Sequence, residues 1–274
     1  MANKASVLAK KLGVTGYYFN GGELMSKGWK LGLSIAGWTL LYAVMYGLMR
    51  SVASLIPFIG PFAFGLIVGP SLSAGLILFI HKKHTTGQSD FGIIFNGFKF
   101  LGPLIVNMLL TGLIFIGILI PLGLLAFFSV GFESFLELGQ SVKDIMPNAN
   151  PMDFFGLFMD FIKVILPAIL ILVFGIGLAS TFFIFSTHFI VLTKCTATEA
   201  IASSFNIVKK KLFPIFGILF LLGLIEMISI IPLGLGLIVT IPWILGTVYM
   251  IFNSTILSRL DGDNSVSSDD LLDA

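Results

Sequence analysis

The sequence predicts an all-α integral membrane protein with about six transmembrane helices, arranged as three hairpin repeats. Three observations carry that expectation. The 274-residue chain is 57% hydrophobic and only 11% charged, with a mean hydropathy of +1.03. A soluble domain carries about 25% charged residues. Several apolar runs reach the roughly 20 residues that span a hydrocarbon core about 30 Å thick. These runs are continuously apolar, whereas barrel strands alternate over about ten residues. Finally, the basic residues fall almost entirely on one side of the alternating loops.

Six spans are predicted at 31–55, 61–81, 103–129, 164–192, 213–231 and 233–256. Residues 1–30 form a cytoplasmic N-terminal segment containing an interfacial helix. Residues 31–256 form the transmembrane domain, and residues 257–274 form an acidic, polar tail expected to be disordered. The N-terminal lysines are not followed by a signal-type apolar core, so no cleavage is expected. With the N-terminus in the cytoplasm, 13 of the 16 basic residues lie on the cytoplasmic side. Only Arg50, Lys143 and Lys163 fall outside it, and the long outer loop carries Glu133, Glu137, Asp144, Asp153 and Asp160. The positive-inside rule then places both termini in the cytoplasm.

The third and fifth spans are entered through related sequences, "FNGFKFLGPLIVNMLL" from Phe95 and "FNIVKKKLFPIFGILFLL" from Phe205. "MSKGWKLGLSIAGW" from Met25 begins alike. Phe91, Phe95 and Phe98 recur at helical spacing, as do Ile201, Phe205, Val208 and Leu212. An apolar stripe beside lysines describes an amphipathic helix in the headgroup plane. Lys99 and Lys210 each precede a proline, Pro103 and Pro214, by four residues. Proline is tolerated in a first helical turn, where its missing N–H has no partner. The expected anchors of these cytoplasmic elbows are Trp29, Lys30, Phe95, Phe98, Lys99, Phe205, Lys209, Lys210 and Lys211, the lysines snorkelling to lipid phosphates. "GLIFIGILIPLGLL" at 112–125 aligns with "GLIEMISIIPLGLG" at 223–236, an offset of 111, and "SLIPFIGP" at 54–61 is a weaker counterpart. Each hairpin is therefore expected to return after an Ile-Pro turn, giving parallel rather than inverted repeats.

The stretch "EAIASSFNIVKKKLFPIFGILFLLGLIEMISIIPLGLGLIVTIPWILGTVYMIF", Glu199 to Phe252, resembles a broad family of bacterial polytopic proteins. That family includes the membrane domain of some glycerophosphodiester phosphodiesterases and its stand-alone relatives. The elbow positions are Ala200, Ser203 and Lys209 to Phe213, and a looser match extends over residues 160–256. The resemblance implies a fold and a bacterial plasma membrane, and no chemistry, because no phosphodiesterase catalytic domain is present.

Candidate functional residues are sparse. Glu226 is the only acidic residue well inside an apolar run, a costly position that marks a site by default. It either pairs with Arg50 or is a neutral or surface glutamate with a structural role. Asn107 and Thr111 share a helix face and either line a polar path or hydrogen-bond between helices. His81, His84 and His188 fall at similar depth, too little on its own to argue for a metal. Gly65, Gly69 and Ser73, and Gly175 with Ala179, are spaced for close helix approach. Asn150, Pro151 and Asp153 have the pattern of a helix start. Cys195 excludes an internal disulfide and is expected to be inert.

No zinc-protease box, phosphate-cradling loop or nucleophile elbow occurs. The expectation is a non-enzymatic membrane component or accessory subunit without a cofactor. Its partners would be membrane lipids and another integral membrane protein or itself, and not nucleic acid. A transporter or channel for a small or lipidic solute is the alternative. The charge asymmetry predicts that a cysteine at Gln140 is labelled by an impermeant thiol reagent in intact spheroplasts, and one at Gln88 only after lysis. Equal labelling at both positions would contradict the orientation.

Overall fold

Uninterrupted apolar sequence leaves the backbone no partner but itself, so the chain resolves into helices. The computed structural model describes residues 1–131, 136–137, 139–142 and 151–261, without the side chains of Pro151, Asp153 and Asp261. Among them there is no strand. Six helices are long and apolar enough to cross a membrane. The protein is an all-α, multi-pass membrane protein. The expectations for Glu133, Lys143, Asp144 and Asn150, and for the tail beyond Asp261, lie outside the described residues.

Helix α1 (Ala2–Thr15) precedes α2 (Gly21–Ser54). Asn20 caps α2 by accepting a hydrogen bond from the Glu23 N–H at 3.3 Å, filling one of the donors a helix start leaves open. At 1.5 Å per residue α2 is about 50 Å long, more than a hydrocarbon core needs. Helix α3 (Ile59–Thr86) contains a π turn at Phe64–Val68. A 3₁₀ helix, Phe91–Phe100, runs into α4 (Leu101–Val130). Helix α5 (Pro151–Thr181) is followed by α6 (Ser186–Thr193), α7 (Ala197–Val208) and α8 (Leu212–Ile230). Helix α9 (Leu237–Phe252) continues through a π turn at Asn253–Leu257. Each predicted span overlaps one of the six apolar helices.

The chain divides into two compact units, residues 1–111 with 181–274 and residues 112–180. In the second, the two helix segments bury only Ala126 and Ala179 among the described residues. A Cβ on Gly175 would come within 2.6 Å of Leu122, so this pair meets at a small residue.

In the first unit, glycines set how near the helices come. A Cβ on Gly28 of α2 would strike Thr247 of α9, and one on Gly246 would strike the Gly28 carbonyl. A Cβ on Gly32 would lie 2.8 Å from the Pro242 carbonyl and 2.9 Å from the Trp243 Cα. Because residue 28 meets 247 and residue 32 meets 242, α2 and α9 run antiparallel. Trp243 donates from Nε1 to the Met25 carbonyl at 3.1 Å and meets Trp29 edge to face, centroids 5.1 Å apart. A second backbone contact joins α3 to the 3₁₀ helix, where Gly75 abuts Ile94 and Gly97 abuts Ser71. The small residues expected to mediate packing on α3 do so only in part. Gly65 has open space around it, and Ser73 is exposed, while Gly69 is approached by the Tyr46 hydroxyl.

Two further expectations are corrected. The aromatic stripe Phe91–Phe95–Phe98 divides. A 3₁₀ helix has three residues per turn, so Phe91 shares a face with Ile94 and Gly97 instead. That face is packed, and Phe91 stacks on Trp38 with centroids 5.9 Å apart. Phe95 and Phe98 remain exposed. On α7 the stripe also divides, Phe205 being exposed and Val208 fully buried. The buried face there is Ala200, Ser203, Ser204 and Ile207, and it serves α1: Tyr17 donates to the Ile207 carbonyl at 3.2 Å, and a Cβ on Gly13 would lie 2.7 Å from the Asn206 carbonyl. Burial raises the pKa of the Tyr17 phenol, which keeps its proton for this bond.

The Ile-Pro turn occurs at 56–57 and 231–232 but not at 120–121, where α4 continues through Pro121. The turn after α8 uses positive φ at Leu233 and Gly234, and closes so tightly that a Cβ at Gly236 would lie 2.7 Å from the Ser229 Cβ. The position aligned with Gly236 is Leu125, whose side chain forbids that closure.

Gly28→Ala is expected to lower stability by about 1–3 kcal/mol through overpacking. Gly37→Ala on the same helix has open space and should stabilise by up to about 1 kcal/mol through helix propensity. Thermal melts in detergent compare the two. Equal effects would contradict the glycine contact.

Candidate functional site

In the first unit four helical faces converge on a cleft of about 570 Å³, within the range of about 300–1,000 Å³ of small-molecule sites. Helix α2 contributes Thr39, Tyr42, Ala43, Tyr46 and Gly47, the i, i+3, i+4, i+7, i+8 rows of one helix face. Helix α3 contributes Ser73, Leu76, Ile77 and Ile80 at the same spacing. The start of α6 and the residues before it give Ile184, Thr187 and His188, and α9 gives Ile241, Leu245 and Val248.

Thr39, Leu76, Ile80, His188 and Val248 are buried and form the floor. Ala43, Gly47 and Ser73 are exposed and mark the mouth. Ser73 lies at the middle of α3, and Ala43 and Gly47 lie eleven and seven residues inside the C-terminal end of α2.

The polar groups come from three elements. The Thr39 hydroxyl donates to the Ile35 carbonyl at 3.0 Å, so its proton is spent within the helix. The Tyr42 hydroxyl interacts with the Ser73 side chain. The Tyr46 ring packs edge to face on Phe64, centroids 5.0 Å apart. A Cβ on Gly69 would lie 3.1 Å from the Tyr46 hydroxyl, so glycine there lets the phenol approach α3. His188 is 8% exposed and sits between Phe185 and Phe252, with ring centroids 6.2 and 5.4 Å away. The Ile184 carbonyl lies beside the ring, and Nδ1 is buried without a hydrogen bond of good geometry. None of the lining residues is an aspartate, glutamate, lysine or arginine.

The residues singled out from the sequence lie elsewhere. Glu226 is half-buried on α8 and Arg50 is exposed on α2; among the described residues they form no ion pair with each other. Asn107 is buried with its Oδ1 unpartnered, and the Thr111 hydroxyl donates to the Asn107 backbone carbonyl at 2.6 Å rather than to its side chain. His81 Nδ1 and the Tyr249 hydroxyl lie 2.8 Å apart, and the His84 ring meets Tyr249 edge to face. His188 belongs instead to the cleft, so the three histidines do not gather. Among the described residues no group of three histidine, cysteine or acidic side chains is placed to hold a metal.

Among the anchors, Trp29, Lys30, Lys99, Lys209 and Lys210 are exposed and Lys211 is half-buried. Lys209 donates to Asn206 Oδ1 at 2.8 Å and lies over the Phe205 ring, 5.9 Å from its centroid. Phe205 stacks on Phe182 at 5.0 Å. Thr196 and Glu199 cap α7 reciprocally, and the Thr196 N–H and hydroxyl hold the Glu199 carboxyl below its ordinary pKa. Cys195 is buried beside Thr193, and burial raises the pKa of its thiol. A thiol is a poor nucleophile until deprotonated, so the site gives it no reactivity.

Thr39, Tyr42, Tyr46 and Thr187 were missed by sequence reasoning. Their signal was there: three hydroxyl-bearing residues at i, i+3 and i+7 on an otherwise apolar span. Comparison with protein-family models, curated proteins and solved structures finds no match to this chain.

Proposed function

We infer that the protein is a non-enzymatic component of a bacterial plasma membrane, with both termini in the cytoplasm, which takes up a lipidic solute into the cleft of the first unit. The observation supporting this reading is the position of the mouth. Ser73 lies at the middle of α3, with Ala43 and Gly47 within the apolar length of α2, and the middle of a helix that crosses a bilayer is at hydrocarbon depth. A solute arriving there comes from lipid and not from water. The cleft walls are mainly aliphatic, which suits an apolar body. Carriage or transport of a lipidic solute therefore accounts for more of the first unit than passive packing does. The lysines of the cytoplasmic elbows then hold the protein at the headgroup plane.

A second reading, an accessory subunit, is favoured by the second unit. Two helix segments that bury only Ala126 and Ala179 present apolar surface to lipid or to another membrane helix.

The test closes the mouth. Ala43→Phe is compared with the unchanged protein after purification in mild detergent, and retained small amphiphiles are quantified by mass spectrometry. Most of the retained material should be lost while the melting temperature holds or rises, since a ring filling a void adds contacts. Unchanged retention, with another membrane protein co-purifying at fixed stoichiometry, would overturn the cleft reading in favour of the accessory one.

A further inference from the structure

Resting on the reading of the cleft as the working site, we propose that its ligand is an uncharged amphiphile: an apolar body carrying one hydroxyl or carbonyl group, which His188 and the Tyr42–Ser73 pair receive.

The walls define the body. Leu76, Ile77 and Ile80 on α3 and Ile241, Leu245 and Val248 on α9 line it. Such surface rewards burial of hydrocarbon and offers a second polar group nothing to bond. The charge of the head is set by what does not line the space. A carboxylate, phosphate or ammonium would enter facing no lysine, arginine, aspartate or glutamate. An unpaired charge moved into a dry site is strongly disfavoured. A neutral head meets no such barrier.

The partners of the head follow from which polar groups are free to bond. Thr39 has committed its proton to the Ile35 carbonyl. His188 is more than nine-tenths buried and lines the cleft with the Ile184 carbonyl beside its ring, and its Nδ1, sealed from solvent, makes no hydrogen bond of good geometry. A buried polar atom without a partner is uncommon and costs stability until something satisfies it. A neutral imidazole offers one donor and one acceptor, so it answers either a hydroxyl or a carbonyl. Ser73 stands exposed at the mouth, in contact with the Tyr42 hydroxyl. The pair forms a second station between the lipid and the buried histidine. A head entering at Ser73 and settling at His188 draws its hydrocarbon in behind it, along the aliphatic walls.

Ion conduction fits this site poorly. A cation path needs rings of carbonyl or carboxylate oxygens, and the lining has no carboxylate, while α9 offers only the single carbonyl that Pro242 leaves without a partner.

The experiment uses the full chain in nanodiscs and three diazirine probes of equal chain length: a primary alcohol, a carboxylic acid at a pH where it is ionised, and an alkane. Cross-links are mapped to peptides by mass spectrometry. The alcohol is expected to label cleft peptides about fivefold more than either other probe, the factor that one net hydrogen bond contributes. His188→Leu should bring alcohol labelling down to the alkane level and leave alkane labelling unchanged. Should that buried substitution fail to fold, Ser73→Ala at the exposed mouth should lower alcohol labelling alone. Acid labelling equal to alcohol labelling would overturn the requirement for a neutral head. Alkane labelling equal to alcohol labelling would overturn the polar handle. The cleft reading survives both results. Absence of all three probes from the cleft would overturn the proposal and the cleft reading together.

Discussion

The first unit depends on one contact, the backbone-to-backbone approach of α2 and α9. Gly28 and Gly32 on one helix meet Gly246, Thr247 and the Pro242–Trp243 backbone on the other. In lipid the hydrophobic effect does not draw helices together, because acyl chains are as apolar as leucine. Association there relies on close packing and on hydrogen bonds. Glycine supplies the first by removing the side chain that would hold the backbones apart. The Trp243 N–H to Met25 carbonyl bond supplies the second. The contact fixes α9 antiparallel to α2 and so sets Ile241, Leu245 and Val248 beside the Thr39–Tyr46 face. A second contact of the same kind, at Gly75 and Gly97, fixes the 3₁₀ helix antiparallel on α3, the helix that carries Ser73 to the cleft. The cleft is the space left where these close contacts end and larger side chains begin.

Much of the fold was legible because hydropathy over twenty residues is a strong signal. All six spans were readable from apolar run length. Pro151 opens the described part of α5, a place that proline's fixed φ and dispensable N–H allow. Other features depended on information a linear pattern does not hold. The division of the Phe91–Phe95–Phe98 stripe required knowing that this segment winds with three residues per turn, which no composition rule indicates. The straight passage of α4 through Pro121, against the turn at Pro232, hinged on one residue: Gly236 permits closure on Ser229 and Leu125 does not. Glycines at 28, 75, 97 and 246 looked no different in sequence from those at 37 or 65. Only the neighbouring helix distinguishes them.

The candidate site was the least legible part, for a related reason. Sequence reasoning looked for charge inside the membrane and found Glu226 and Arg50, which form no pair. A site for a neutral ligand needs no charge, and its hydroxyls are hidden among residues common in apolar helices. Thr39, Tyr42 and Tyr46 share a face only if α2 is continuous, and His188 joins them only because the chain turns between Thr181 and Ser186. The two units divide the functional expectations between them. The first holds a cleft with converging polar groups, which favours solute uptake. The second holds an exposed helix pair, which favours docking to lipid or another helix.

The most direct measurement of the central claim is a cryo-electron microscopy map of the full chain in nanodiscs made from native lipid. The account predicts elongated density within the cleft of the first unit, its tail along Leu76, Ile80 and Leu245, and its head within about 3 Å of the His188 ring, hydrogen-bond distance. A map in which the side chains of α2 and α9 close the cleft, leaving no space beside His188, would contradict it.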